Sequence, residues 1–157
     1  MNRKIESIKK FRLFLLKQIE DLTIPQLNEI PAGYNNNIIW NLGHLICAEQ
    51  TMCYTRAGLA VTVEEKYLSP FMSGTKPERS LSEGEIKFIK EIFIASPDNL
   101  QIDFDNNIFQ NYSPSAGIKK VYEIEVNNID EALDYLLYHE GLHTGYVISL
   151  KKLLMGI

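Results

Sequence analysis

His139, Glu140 and His143 stand in the run HEGLH. In that pattern two imidazoles one helical turn apart hold a zinc ion and the glutamate between them acts as general base in peptide hydrolysis. Residues four apart on a helix lie one above the other on one face, so both rings can reach a single ion. A peptidase needs a third ligand and a substrate cleft as well. The fourteen residues after His143 contain no His, Asp or Glu, and Ser149 stands where a metzincin continuation would place its third histidine. The third ligand has to come from upstream, which changes the reading: a peptidase stands behind the others for want of a downstream ligand and of a sheet to form a peptide cleft.

The only other histidine of the chain is His44, in the middle of the helical pattern NIIWNLGHLICAEQTMCYTRA. One i, i+4 pair and one central helical position account for all three histidines, which points to a shared site and not to three separate core residues. Three imidazoles leave coordination positions of a divalent ion open for water or substrate, unlike a closed structural zinc site. Neutral imidazole takes Zn, Ni, Fe(II) or Cu alike, so donor type does not name the metal. The expectation is a divalent ion, zinc or nickel first and iron or manganese after them.

Several neighbours are candidates for the same site. Glu140 lies about 100° round the helix from His139; it is either the acid/base group of a reaction or a flanking residue that pairs elsewhere. Asn41 and Asn37 precede His44 by three and seven residues and share its face. Each can bind substrate or orient an imidazole N–H, or else Asn37 caps the helix and Asn41 is a satisfied core amide. Cys47, three residues beyond His44, reads as a small buried hydrophobe before it reads as a fourth ligand. Trp40 reads as a core or pocket wall.

The elements that must position these residues follow from apolar spacing. Ile5, Ile8, Phe11, Leu15, Ile19 and Leu22 form the stripe of a first helix that stops before Pro25. Asn35 or Asn36 caps a second helix running to Gly58, whose lack of a side chain suits a left-handed terminus. Gly58 to Arg79 has no sustained period and reads as a long loop, in which KYLSPFMSGTK (66–76) is either a substrate lid or plain surface. Ser82 and Glu85 form a capping box for a third helix, through Ile86, Ile89 and Phe93, that ends before Pro97. Asn128 and Glu131 open a fourth, running to about Leu154 with Gly156 beyond. KKVYEIEV (119–126) alternates weakly, as a short strand or extended connection would. Gly141 and Gly145 are costly in a helix interior, and close helix packing, within the bundle or across a dimer, is the compensation they call for. The fold class is all-α: one domain, 1–157, built as a four-helix bundle with two long connections.

Composition narrows the function classes. A chain of 157 residues with 45% apolar and 23% charged residues has room for one real core and no second catalytic domain. A net charge of −4 with scattered basic residues argues against a nucleic-acid partner. No run approaches a membrane span and the start lacks a signal-peptide pattern, so a cytoplasmic protein with no membrane partner is expected. Cys47 and Cys53 lie about 9 Å apart along one helix, too far for a disulfide, and are expected as reduced thiols.

NNNIIWNLGHL (35–45) and LLYHEGLHTGYVISLKKLL (136–154) together resemble the paired signature of the DinB/YfiT-like superfamily. There a mid-helix histidine of the second helix joins an HxxxH pair on the last. The resemblance spans essentially the whole chain and implies metal ligation by His44, His139 and His143. It implies a left-handed up-up-down-down bundle, frequently a homodimer, in the cytoplasm. Characterised relatives include metal-dependent transferases and isomerases working with low-molecular-weight thiols such as bacillithiol, mycothiol or glutathione. Nothing in the chain selects a substrate. Two function classes stay open: an enzyme whose metal activates a thiol or water for transfer, isomerisation or hydrolysis, and a non-catalytic metal- or small-molecule-binding stress-response bundle.

Overall fold

Asn2 caps the first helix, its side-chain oxygen accepting from the Lys4 N–H, and the same logic of polar caps and apolar stripes builds each element that follows. A computed structural model describes residues 1–156, with helices α1 (Arg3–Gln18), α2 (Ile24–Asn28), α3 (Ile38–Glu49), α4 (Glu83–Asp105), α5 (Ala116–Tyr122) and α6 (Ile129–Met155). There is no strand among the described residues. Asn37, not Asn35 or Asn36, caps α3, its Oδ1 accepting from the Trp40 N–H at 2.8 Å. The chain beyond α3 continues as a π-helical turn, Gln50–Tyr54, and a 3-10 turn, Thr55–Ala57, before Gly58 stops it at φ +71°.

The bundle consists of α1, α3, α4 and α6, with α1 packed on α4 and α6, and α3 on the same two. Lys4, at the start of α1, bonds Asp134 near the start of α6, while Lys151 near its end bonds Gln18 and Asp21 at the end of α1. These two helices therefore run parallel. Asn2 pairs with Gln101 and Lys9 with Asp98, so α4 runs against α1; Ser96 bonds Glu49 and Tyr54 bonds Asp103, so α4 runs with α3. The order is up-down-down-up, which corrects the up-up-down-down arrangement that the resemblance implied. The physical reason lies in the connections. Parallel neighbours need a return crossover, and the 58–82 segment between α3 and α4 supplies the only one that this ring of helices requires.

Three local expectations also change. KKVYEIEV is not a strand: residues 119–122 belong to α5, capped by Ser115 and ended by Glu123 at φ +59°. Its alternation was weak because burial falls on Ile118 and Val126, while Val121, Tyr122 and Ile124 are exposed. A side chain added at Gly141 or Gly145 would meet nothing within 4 Å, so no close packing among the described residues explains either glycine. On α1 the stripe is rotated: Phe11 is 42% exposed and Arg12 is 0% exposed.

Arg12 is the centre of a polar layer that divides the core. Below it in α1 stand Ile5 and Ile8, above it Leu15 and Ile19, and the apolar side chains of all four helices sort into two clusters on either side. The guanidinium touches every helix of the bundle. Its Nε donates to Glu140 of α6 at 2.8 Å, its Nη1 donates to Ser96 of α4 at 2.9 Å and forms an ion pair with Glu49 of α3 at 2.9 Å, and its Nη2 donates to the Leu45 carbonyl at 3.3 Å. Nη1 also reaches the Phe93 carbonyl at 3.2 Å. That carbonyl is four residues before Pro97, which has no N–H to offer it. Arg12 supplies the missing donor, and this is why α4 passes through Pro97 and does not end before it. Two carboxylates share one guanidinium here. Burial pushes the Glu140 carboxyl up to about 7, with Arg12 opposing.

Arg12→Leu would leave two buried carboxylates and the Phe93 carbonyl without their donor. The expected loss in urea denaturation is about 3–5 kcal/mol. Glu140→Gln leaves a neutral Arg12–Glu49 pair and is expected to cost well under half of that; equal losses for the two variants would contradict the layer as described.

Candidate metal centre

On α3, His44 points toward α6, where His139 and His143 sit one turn apart. The ring centroids are 5.2 Å apart for His44 and His139, 4.8 Å for His44 and His143, and 4.5 Å for the pair on α6. One nitrogen from each ring lies within 4.8 Å of the others. Two ligands of a tetrahedral zinc lie about 3.3 Å apart, so the rings stand close to coordinating separation and not at it. The histidine set expected from spacing is brought together by the fold.

Two of the rings are held by groups that leave one nitrogen free. Nδ1 of His44 donates to the Phe71 carbonyl at 2.8 Å, and Nδ1 of His143 to Asn41 Oδ1 at 2.7 Å. Such bonds fix the tautomer and present Nε2 to an ion. Asn41 is in turn fixed by its own amide donors, to the Asn37 carbonyl at 2.7 Å and to Asn36 Oδ1 at 3.1 Å. His139 differs: its Nδ1 is buried without a hydrogen-bond partner. A buried ring nitrogen left orphaned, beside two imidazoles with free Nε2 atoms, is a donor set that fits a divalent cation. Aromatic rings line the cluster, with Trp40 stacked on His44 at 4.8 Å and Tyr135 on His139 at 5.7 Å.

The other candidates are placed elsewhere. Among the described residues the cluster of metal-capable side chains contains neither Cys47 nor Glu140. Cys47 is a free buried thiol whose pKa is raised by burial. The Glu140 carboxylate is engaged with Arg12. Asn37 uses Oδ1 as the cap of α3 and Nδ2 on the Asn28 carbonyl at 2.8 Å. It lines a cavity of about 750 Å³ between α3, the 58–82 segment and α4, walled by Trp40, Phe71, Tyr67 and Ile89; no histidine lines it, but Trp40 and Phe71 stand between it and His44. Sequence reasoning missed Phe71, whose contribution is a backbone carbonyl, and Arg12, whose charge reads as surface.

A helical bundle with three histidines converging from two helices defines the class. The chain belongs to the DinB superfamily, whose sequence model matches residues 12–147. Comparison with curated proteins finds no match. No helix among the described residues is long and apolar enough to cross a membrane.

Burial, with the neighbouring rings and Arg12 adding to it, pushes His139 down to about 3; burial and His44 push His143 down to about 4, and burial lowers His44. Folded-state values below the unfolded 6.5 mean that this stability is present above pH 6.5. It is lost as the pH falls toward about 3–4, where the folded rings finally take protons. Rings that are already neutral have no protons to release. At pH 6.0 three histidines of ordinary pKa would release about two protons on binding a metal. Calorimetry of Zn(II) binding in buffers of different ionisation enthalpy is expected to show fewer than one, with His139 and His143 releasing almost none; two would mean that the rings titrate as exposed groups.

Proposed function

We propose that the chain is a metal-dependent enzyme that binds a low-molecular-weight thiol at an ion held by His44, His139 and His143, for transfer or isomerisation. The observation that carries this reading is the donor set: three imidazoles, neutral at physiological pH, with no fourth protein ligand in the cluster among the described residues. A divalent ion in such a site lowers the pKa of a thiol or water at its open position. Zinc and nickel suit three imidazoles, and iron or manganese remain the further candidates. Asn41 and the Phe71 carbonyl hold two rings in the ligating tautomer. Trp40 and Tyr135 form apolar flanks that restrict water. Asn37 binds substrate only through its place on the neighbouring cavity wall. In this reading Glu140 positions α6 through the bond of its Oε1 to Arg12 and is not the group that moves a proton at the ion.

That last point favours a second reading, a non-catalytic metal- or small-molecule-binding bundle, because no free acid or base is aimed at the histidines. The core speaks for the enzyme. Its two apolar clusters and the Arg12 layer join the four helices through contacts that do not involve the three histidines, whereas a structural metal contributes folding free energy outright. Chain stripped with a chelator is therefore expected to keep its helical circular dichroism and melt only modestly earlier. Reloaded with Zn(II) or Ni(II) under anaerobic conditions, it is expected to bind members of a panel of small thiols, and to lose that binding on chelation. Unfolding on chelation, or a loaded form that binds no thiol, would move the assignment to the second reading or to a hydrolase.

A further inference from the structure

We propose that Gly43 and Phe71 are positioning residues for the ligand His44, so that the 58–82 segment is a working wall of the metal centre. The proposal rests on the metal-site reading above. Phe71 ends a 3-10 turn, Ser69–Phe71, and is 5% exposed. Its ring lies directly on the backbone of Gly43: a Cβ built there would come within 2.7 Å of three of its ring carbons. Seated this way, the ring carries its own carbonyl to 2.8 Å from His44 Nδ1. The neighbour of the ligand in sequence thus receives the ring, and the ligand receives the carbonyl.

The same stretch holds the face of the imidazole. Trp40 stacks on His44 with 9° between the planes, and its Nε1 lies 3.2 Å from both the Pro70 carbonyl and Thr75 Oγ1. Residues 70, 71 and 75 therefore fix both the tautomer and the tilt of one ligand, and the lack of a side chain at Gly43 is what lets them approach. Thermodynamic reciprocity gives a second consequence. If the seated segment favours metal binding, bound metal must hold the segment in its seat.

The test uses the full chain. Zn(II) affinity is measured by competition with a chromophoric chelator, Co(II) visible spectra report ligand geometry, and hydrogen exchange follows peptides covering 66–76 with and without Zn(II). Gly43→Ala is expected to weaken Zn(II) binding about 10–100-fold and to alter the Co(II) spectrum, although alanine is the better helix former. In a Phe71→Ala background, where no ring remains to collide, the same Gly43→Ala change is expected to have at most about a twofold effect, since distant or decoupled sites add and coupled ones do not. Zn(II) is expected to slow exchange in 66–76 of the wild type and not of Gly43→Ala. Unchanged affinity in Gly43→Ala, or an equal loss with and without the Phe71 ring, overturns the proposal. Should Gly43→Ala not fold, Phe71→Ala alone decides, an unchanged Zn(II) affinity and unchanged exchange protection overturning it. A wild type that takes up no Zn(II) refutes the metal site itself, a different outcome from a wild type and variant that bind alike.

Discussion

One buried guanidinium sets the register of this bundle. Arg12 is fully enclosed, yet it reaches a carboxylate on α3, a carboxylate on α6, and a hydroxyl and a carbonyl on α4. Apolar stripes alone let helices slide or rotate at small cost, because one leucine fits against another in many registers. A buried charge does not, since every unmet donor or acceptor carries a desolvation penalty. The layer therefore admits one alignment of the four helices. Its energetic return over an apolar layer is small, and its effect is specificity. It also makes Pro97 tolerable in the middle of a long helix, which ties the course of α4 to a residue more than eighty positions earlier.

The histidine cluster inherits this alignment. His139 and Glu140 are adjacent on α6, so fixing Glu140 to Arg12 on the inner side sets the rotation of the helix and turns His139 and His143 toward α3. On α3, Glu49 in the same layer fixes the rotation that aims His44 and Asn41 back at them. Burial then keeps all three rings neutral, the form that ligates. The two carboxylates partly offset the positive charge that Arg12 brings beside His139, so the imidazole donors and not the layer would have to hold an ion.

Much of this was legible in the sequence, for reasons that can be named. The histidine set could be read because i, i+4 spacing and a single remaining histidine left few alternatives. Ser82, Asn128 and Gly156 marked helix ends through chemistry local to a few residues, and the structure has them as caps. What failed was non-local. Spacing puts Phe11 in the stripe and leaves Arg12 outside it because a charged residue among Arg3, Lys4, Lys9 and Lys10 has the pattern of a solvated face; only the partners from three other helices make Arg12 a core residue. Pro97 broke the third helix in the reading for the same reason, since its compensating donor lies on α1. Helix direction was also beyond local pattern, being fixed by which connection must cross the bundle. Phe71 could not be found at all from residue type, because a backbone carbonyl has no signature in a sequence.

The claim on which the rest converges is that His44, His139 and His143 ligate one ion and leave it open. X-ray absorption at the zinc edge of the Zn(II)-loaded chain tests that claim most directly. Three imidazole nitrogens at about 2.0–2.1 Å, with their outer-ring scattering, a remaining shell of light exchangeable ligands and no sulfur at about 2.3 Å, is the predicted result. A sulfur shell from Cys47, or fewer than three imidazoles per ion, would contradict the account.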